Sequence, residues 1–160
     1  MKPFAIILII LVLAAVGGIG WLYLNANLTV TFDSCIATDG VTQADYFSQL
    51  KKQVSSGTFI GTMYGDKDLL AADQYQFLTY TVVLSNHAFL KAETAQIRIT
   101  PMQGDVLMIG DQQEHSVPSG KKGTLSATIL TARDMHSVRE ATVTWYFWGI
   151  PFSEKLTLGQ

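Results

Sequence analysis

The residues that could do chemistry are few and scattered in this chain of 160 residues. The three histidines, His87, His115 and His136, stand apart, and none belongs to a spacing that would bring ligands to one metal ion. Their neighbours are polar and typical of loops, which favours solvated loop histidines. We therefore predict neither a metal site nor a cofactor.

The acidic residues form no stronger pattern. Asp66 and Asp68 alternate as the first ligands of a calcium loop would, but apolar residues follow where further oxygen ligands are needed. A solvated turn is the better interpretation there. Asp105 and Asp111 flank a short predicted strand, and we assign them to turns as well.

Motifs of nucleophilic catalysis are missing from the sequence. It has no Gly-x-Ser-x-Gly elbow and no cysteine–histidine signature, and the Gly-Lys-Lys-Gly stretch at 120–123 lacks the spacing of a phosphate-binding loop. Two carboxylates that meet only in the folded chain would leave no pattern, so a hydrolase with a site assembled from loops stays a hypothesis. We expect that the protein is not an enzyme.

Cys35 is the single cysteine, so no internal disulfide can form. It follows a predicted strand with the same parity as Asp33, which places it on the polar side. A buried or half-buried free thiol is the favoured interpretation, and an intermolecular disulfide is the alternative.

The most informative residues form the aromatic run Trp-Tyr-Phe-Trp. Because side chains alternate across a strand, Trp145 and Phe147 are predicted on one face, and Tyr146 and Trp148 on the other. We expect a helix to cover the second face, since exposed aromatic patches are uncommon. If it is exposed, Tyr146 and Trp148, with Tyr64 as a neighbour, would suit a partner protein or a sugar ring.

The elements that position these residues begin with an apolar N-terminus. Residues 4–24 contain no charged or amide side chain and span about 31 Å as a helix at about 1.5 Å per residue. That length matches the hydrocarbon core of a bilayer. The run is longer than a signal-peptide core and no small-x-small cleavage site follows, so we predict a retained transmembrane helix at 4–24.

The flanks of this helix predict its orientation. Lys2 and the amino terminus precede it, and no further basic residue appears before Lys51. The positive-inside rule then gives a cytoplasmic tail at 1–3 and an outer domain at 25–160, in a single-pass protein of the cell membrane. Besides the lipid bilayer, we predict a membrane-protein partner or a homo-oligomer, because Ala14 and Gly18 form a small-xxx-small face for helix packing.

Charge argues against a nucleic-acid partner. The chain has 11 basic and 13 acidic residues and a formal net charge of −2, and no basic cluster exceeds a lysine pair.

Strand patterns dominate the outer domain. Apolar residues alternate with polar ones in seven segments, at 28–33, 75–84, 95–100, 106–109, 125–129, 138–148 and 152–158. They predict a mainly-β fold, an antiparallel immunoglobulin-like sandwich. One added helix is predicted at about 43–56, where Phe47, Leu50 and Val54 share a face, Thr42 starts a weak capping box and Gly57 ends the helix.

The segment from Tyr80 to Asp105, YTVVLSNHAFLKAETAQIRITPMQGD, resembles the strand–Asn turn–strand stretch of immunoglobulin-like and fibronectin-III-like domains. It is also similar to sandwiches of the late-embryogenesis-abundant type. The layout of a short anchor and one such domain resembles membrane-anchored surface proteins of Gram-positive bacteria. The resemblance implies the fold and no catalytic residues.

Three functions follow in order of preference. The first is a non-enzymatic, membrane-anchored extracytoplasmic interaction domain, an accessory or scaffolding component of an envelope complex. The alternative is a module that binds cell-wall glycan or a peptide. The hydrolase comes third.

Overall fold

The elements of the fold occupy residues 2–65 and 68–159, which the computed structural model describes. They are α1 (Lys2–Leu24), β1 (Leu28–Asp39), α2 (Ala44–Ser55), β2 (Thr62–Met63), β3 (Tyr75–Asn86), β4 (Ala92–Ile99), β5 (Asp105–Ile109), β6 (His115–Val117), β7 (Lys122–Ala132), β8 (Arg139–Phe147) and β9 (Ile150–Leu158). Met1, in the predicted tail, and Asp66, in the predicted solvated turn, lie outside the described residues.

Two antiparallel sheets form the domain. One has five strands in the order β1-β3-β7-β5-β2, and the other has four in the order β6-β4-β8-β9. The prediction of a mainly-β sandwich with one added helix is confirmed. The short strands β2 and β6 were not predicted, because two or three residues are too few to show an alternating pattern.

The core lies between the sheets, where the alternating positions of facing strands meet. On β3 the predicted inward face, Leu78, Tyr80, Val82 and Leu84, is fully buried. The same core includes the inward residues of the neighbouring strand β7, Leu125, Ala127 and Ile129. The opposite sheet contributes Ile97, Ile99, Val143, Trp145 and Phe147.

Helix α2 does not cover the aromatic face of β8, so that expectation is wrong. Its buried residues Phe47 and Leu50 pack in a second cluster with Phe77, Leu107 and Leu130. These three belong to β3, β5 and β7 and point away from the main core, because their immediate neighbours in sequence fill it. The helix therefore covers the outer face of the five-stranded sheet.

The sequence predicted the C-terminal end of α2 correctly but not its N-terminal cap. The N-cap is Gln43, which makes no side-chain cap bond to the described backbone, so the capping box predicted from Thr42 is wrong. The C-terminal signal is confirmed, since Gly57 adopts φ 69°. The amides of Gly57 and Thr58 donate to the carbonyls of Val54 and Gln53, which is a Schellman motif.

A β-bulge in β1 moves Cys35 off the polar side. The register with β3 shifts between Phe32 and Ser34, after which Cys35 pairs with Tyr80. An extra residue reverses the alternation, so the parity argument for Cys35 fails beyond the bulge. Its side chain is half-buried and packs against the main core.

The sandwich has two ends. We call the end where α1 joins the helix end, which includes Asn86, Glu93 and Tyr146, because Leu28 pairs with Asn86 and Glu93 pairs with Tyr146. The opposite end, the far end, includes Ile99 and Asp105.

Candidate functional site

Helix α1 is joined closely to the helix end. Its last turn is closed by Asn25, whose backbone and side-chain amides both donate to the Trp21 carbonyl, at 3.1 Å and 2.8 Å. The His87 amide donates to the Asn27 carbonyl at 2.9 Å, and the rings of Tyr23 and Phe152 lie 5.4 Å apart. The ring contact of Tyr23 and the hydrogen bond of Asn27 therefore connect the helix and the residues just after it to the sandwich.

An apolar groove opens beside this junction. Its volume is about 260 Å³, and we call it the helix-end groove. Every residue that lines it is apolar or aromatic, namely Ile19, Tyr23, Ala26, Leu90, Phe147, Trp148, Ile150 and Phe152. Helix α1 thus forms one wall, and the β8–β9 hairpin forms the other.

The tip of this hairpin is unusual. Phe147 pairs with Ile150, so Trp148 and Gly149 alone form the turn. Both have positive φ, 52° and 74°, as a type I′ turn requires. This turn favours Asn or Gly at its first central position, and a bulky residue there costs about 1–2 kcal/mol. The tryptophan is nonetheless present and is 69% exposed.

A second loop lies against α1 from another side. Residues Trp21, Asn25 and Phe89 border one small cavity at the junction. The β3–β4 loop that carries Phe89 is fixed by Asn86, which is 2% exposed. The Asn86 amide donates to the carbonyls of Leu90 and Val117 at 2.8 Å and 2.9 Å, and its oxygen accepts the Ala88 amide. Phe89 is 75% exposed at the tip of this rigid loop.

The three predicted surface residues do not form one patch. Trp148 lies in the turn, since the strand ends at Phe147. Tyr146 is half-buried on the outer face of the four-stranded sheet, opposite Glu93 and Pro151. Tyr64 lies at the far end, where its hydroxyl donates to the Ile99 carbonyl at 3.3 Å. Glu93 and Ile99 are about 20 Å apart at about 3.3 Å per residue, so Tyr64 is not a neighbour of Tyr146.

Tyr64 borders a second groove, which we call the far groove. It has a volume of about 490 Å³ and is lined by Tyr64, Gly65, Pro101, Met102, Gln103, Gly104, Asp105 and Val106. Burial raises the pKa of Tyr64 to about 12, and the negative charges of Asp111 and Asp105 act in the same direction. The phenol is therefore a neutral hydrogen-bonding group at ordinary pH.

Asp105 and Arg139 form a buried ion pair under the far groove. Arg139 Nε and Nη2 donate to Asp105 Oδ2 and Oδ1 at 3.0 Å and 2.8 Å, and neither side chain is exposed. Arg139 Nη1 donates to the carbonyls of His136 and Val138, and the Met102 amide donates to Asp105 Oδ2. Asp105 stabilises a turn, as predicted. Its pairing with Arg139 was not predicted, because the two residues are far apart along the chain.

The remaining predicted groups are placed as follows. Among residues 2–65 and 68–159, no three His, Cys, Asp or Glu side chains are grouped so that they could hold a metal ion. His115 lies in the short strand β6 and not in a loop. Asp111 accepts the Thr62 hydroxyl at 2.6 Å. Burial raises the pKa of the Cys35 thiol, although a hydrogen bond with Tyr80 and the charge of Arg139 oppose this.

The rest of α1 is uncovered. The window Phe4–Trp21 has a mean hydropathy of 2.7, and 0% of it is buried within the described chain. By length and composition it qualifies as a membrane span or a signal sequence. A Cβ added at Gly18 or Gly20 would meet no atom of the described chain within 4 Å, so the face with Ala14 and Gly18 is open.

Comparisons with known proteins do not assign the chain to a family. No protein-family model matches the chain, and no curated protein matches it. A solved FixG-related protein from Vibrio parahaemolyticus is 11% identical with a TM-score of 0.38, over 85% of this chain and 96% of its own. The cupredoxin domain of amoB from Nitrosocaldus yellowstonii is 10% identical with a TM-score of 0.33, over 85% of this chain and 90% of its own.

Proposed function

We propose that this chain is a single-pass protein of the cell membrane whose outer domain is a non-enzymatic interaction domain. In this proposal residues 1–3 are cytoplasmic, 4–24 cross the bilayer and 25–160 lie outside, as an accessory or scaffolding component of an envelope complex. The observation that carries it is the uncovered apolar helix α1, joined to the sandwich through Tyr23, Asn27 and Phe152. Such a junction holds the domain at the membrane surface, where other envelope proteins can contact it.

The partner is proposed to be another membrane protein that packs on α1. Ala14 and Gly18 are one helical turn apart, so they share a face on which a second helix could approach closely. Both positions are exposed, and the space next to Gly18 is open. A leucine at Gly18 would therefore block a partner without disturbing the domain itself.

Purification of the full-length protein in mild detergent from its native membrane, followed by mass spectrometry, tests this proposal. We expect a stoichiometric membrane protein with the wild type and its loss with Gly18→Leu. Gly20→Leu is the matched control, because Gly20 also has open space around it and lies about 200° around the helix from Gly18. A wild-type protein that is purified alone would refute the accessory role.

A second candidate function is the binding of cell-wall glycan or a peptide, and the far groove favours it. The groove combines a tyrosine, a methionine and a glutamine side chain in an open volume of about 490 Å³, and such mixed lining suits a small polar ligand. Binding of glycan fragments to the full chain in detergent would support this function if Tyr64→Ala abolished it and Tyr146→Ala did not. Equal loss with both variants would argue against the far groove.

A further inference from the structure

We infer that the helix end of the sandwich is itself a membrane-contacting surface, with Trp148 and Phe89 inserted about 5–10 Å past the headgroup–acyl boundary of the bilayer that α1 crosses. The inference rests on the anchoring part of the proposed function and adds a second contact with the same lipid. It concerns the β8–β9 hairpin and the β3–β4 loop, which lie beside the last turns of α1.

The depth of these loops along α1 is the first argument. Trp148 and Ile19 line the same groove, and Ile19 lies about 7–8 Å before Leu24 along the helix axis. Phe89 and Trp21 border the same small cavity, and Trp21 lies about 4–5 Å before Leu24. Both loop tips therefore border cavities that extend back along the last turns of the apolar run, over the depth of about 5–10 Å at which interfacial segments are buried.

The length of the apolar run is the second argument that the loops lie in the bilayer. If the loops stayed in water, the part of α1 before Ile19 would have to cross the membrane alone. Phe4 to Gly18 spans only about 22 Å at about 1.5 Å per residue, whereas the hydrocarbon core is about 30 Å thick. With the loops inserted about 5–10 Å past the boundary between headgroups and acyl chains, the full run to Leu24 remains available to cross the core, about 31 Å.

The chemistry of the exposed side chains fits lipid. Phe89, Trp148 and Ile150 are 75%, 69% and 41% exposed, and the helix-end groove is lined by apolar and aromatic residues throughout. Tryptophan is favoured at the membrane–water interface because its ring is apolar and its N–H can reach water or headgroups. The positive φ of Trp148 costs folding energy. Contact of its ring with the membrane explains why a tryptophan occupies this strained position.

Lipid is favoured over a single protein partner by the arrangement around α1. Ile19 and Tyr23 face the hairpin, and Trp21 and Asn25 face the other loop. Residues 19 and 21 are about 200° apart around the helix, so the two cavities lie against different faces of it and meet at Ala26 and Leu90. A bilayer contacts both sides at once, whereas one partner helix would cover one side.

Site-directed spin labelling of the full chain in phosphatidylcholine–phosphatidylglycerol vesicles tests the inference. In a Cys35→Ser background, single labels are placed at Trp148→Cys and, as a second variant should the first fail to fold, at Phe89→Cys. Met102→Cys is the far-end control and Leu13→Cys is the control for the span, since both residues are exposed. Relaxation by oxygen and by a water-soluble nickel chelate then gives the depth of each label.

We expect the labels at 148 and 89 to be relaxed by oxygen and shielded from nickel, at about 5–10 Å below the headgroup level, with the label at 102 in water. Labels at 148 and 89 that are as nickel-accessible as 102, with 13 in hydrocarbon, would refute the inference and leave the anchor intact. Labels at 148 and 89 that are shielded from both reagents would refute it by showing a protein over the surface. A label at 13 in water would refute the proposed anchoring itself.

Discussion

At the scale of single residues, the ion pair of Arg139 and Asp105 is the most consequential polar contact of the far end. It ties the start of β8 to the start of β5 and orders the 102–105 turn through the Met102 amide. From the sequence alone, Asp105 is predicted to lie in a turn, and no partner is predicted for Arg139. Their pairing was not predictable, because nothing in local sequence reports a contact between two strands of different sheets.

Replacing Arg139 with leucine is expected to destabilise the domain by about 3–5 kcal/mol, because it leaves the Asp105 carboxylate buried without its partner. Arg133→Leu is the matched control. Arg133 pairs with Asp39 at 3.4 Å with both side chains about half exposed, so its loss should cost less than about 1 kcal/mol. Urea unfolding of the full chain in detergent measures both, and equal losses would contradict the account.

Because of Tyr64, the free energy of unfolding of the domain should fall as the pH rises in the alkaline range. Its pKa rises from 10.0 to about 12 on folding, mainly because the phenol is buried. Below pH 10 the group is neutral in both states, so its contribution is fully present there. As the pH rises from 10 towards 12 the unfolded chain loses the proton first, and the free energy of unfolding falls.

Tyr64→Phe should therefore make this alkaline fall less steep. Tyr80, whose pKa burial also raises, remains and keeps part of the dependence. The urea midpoint measured at several pH values between 9 and 11 gives the comparison. Identical slopes for wild type and Tyr64→Phe would show that the phenol is not protected in the folded protein.

At the scale of elements, long alternating segments were predictable because burial on one face imposes a period of two. Pairing with a distant segment made the bulge in β1 and the strands β2 and β6 unpredictable. The turn at Trp148 and Gly149 is local, but tryptophan is not a residue that such a turn favours, so it was not predicted either. One missed signal was present. Phe77 and Leu78 are adjacent apolar residues in β3, and both are buried, which shows that this sheet is covered on two faces. The second covering element is α2, which packs on Phe77.

The hairpin turn gives a prediction that separates folding from membrane contact. Trp148→Asn should stabilise the domain by about 1 kcal/mol, because asparagine accepts positive φ at this position more easily than tryptophan. Trp148→Ala is the control, since it removes the ring but lacks the short polar side chain that helps asparagine to adopt positive φ. Urea unfolding in detergent compares the three proteins. A gain with alanine equal to that with asparagine would show that the backbone conformation is not the cause.

At the scale of the whole molecule, the apolar helix and the sandwich followed from hydropathy and alternation along the chain. The order of strands and the end of the sandwich that faces α1 did not, because both depend on pairings such as Leu28 with Asn86. Those pairings bring Phe89 and Trp148, which are far apart in sequence, to the same end. In the proposed arrangement, that end lies at the membrane and the far groove faces away from it.

The most direct test of this account is the topology of the full-length protein in the cells that make it. A Cys35→Ser, Met102→Cys variant is exposed to a membrane-impermeant maleimide on intact cells, and the membranes are then extracted with alkaline carbonate. We predict labelling without permeabilisation and a protein that stays in the membrane pellet with residues 4–24 retained. Labelling only after permeabilisation would contradict the orientation, and release of a shortened soluble protein would show that the apolar helix is a cleaved signal sequence.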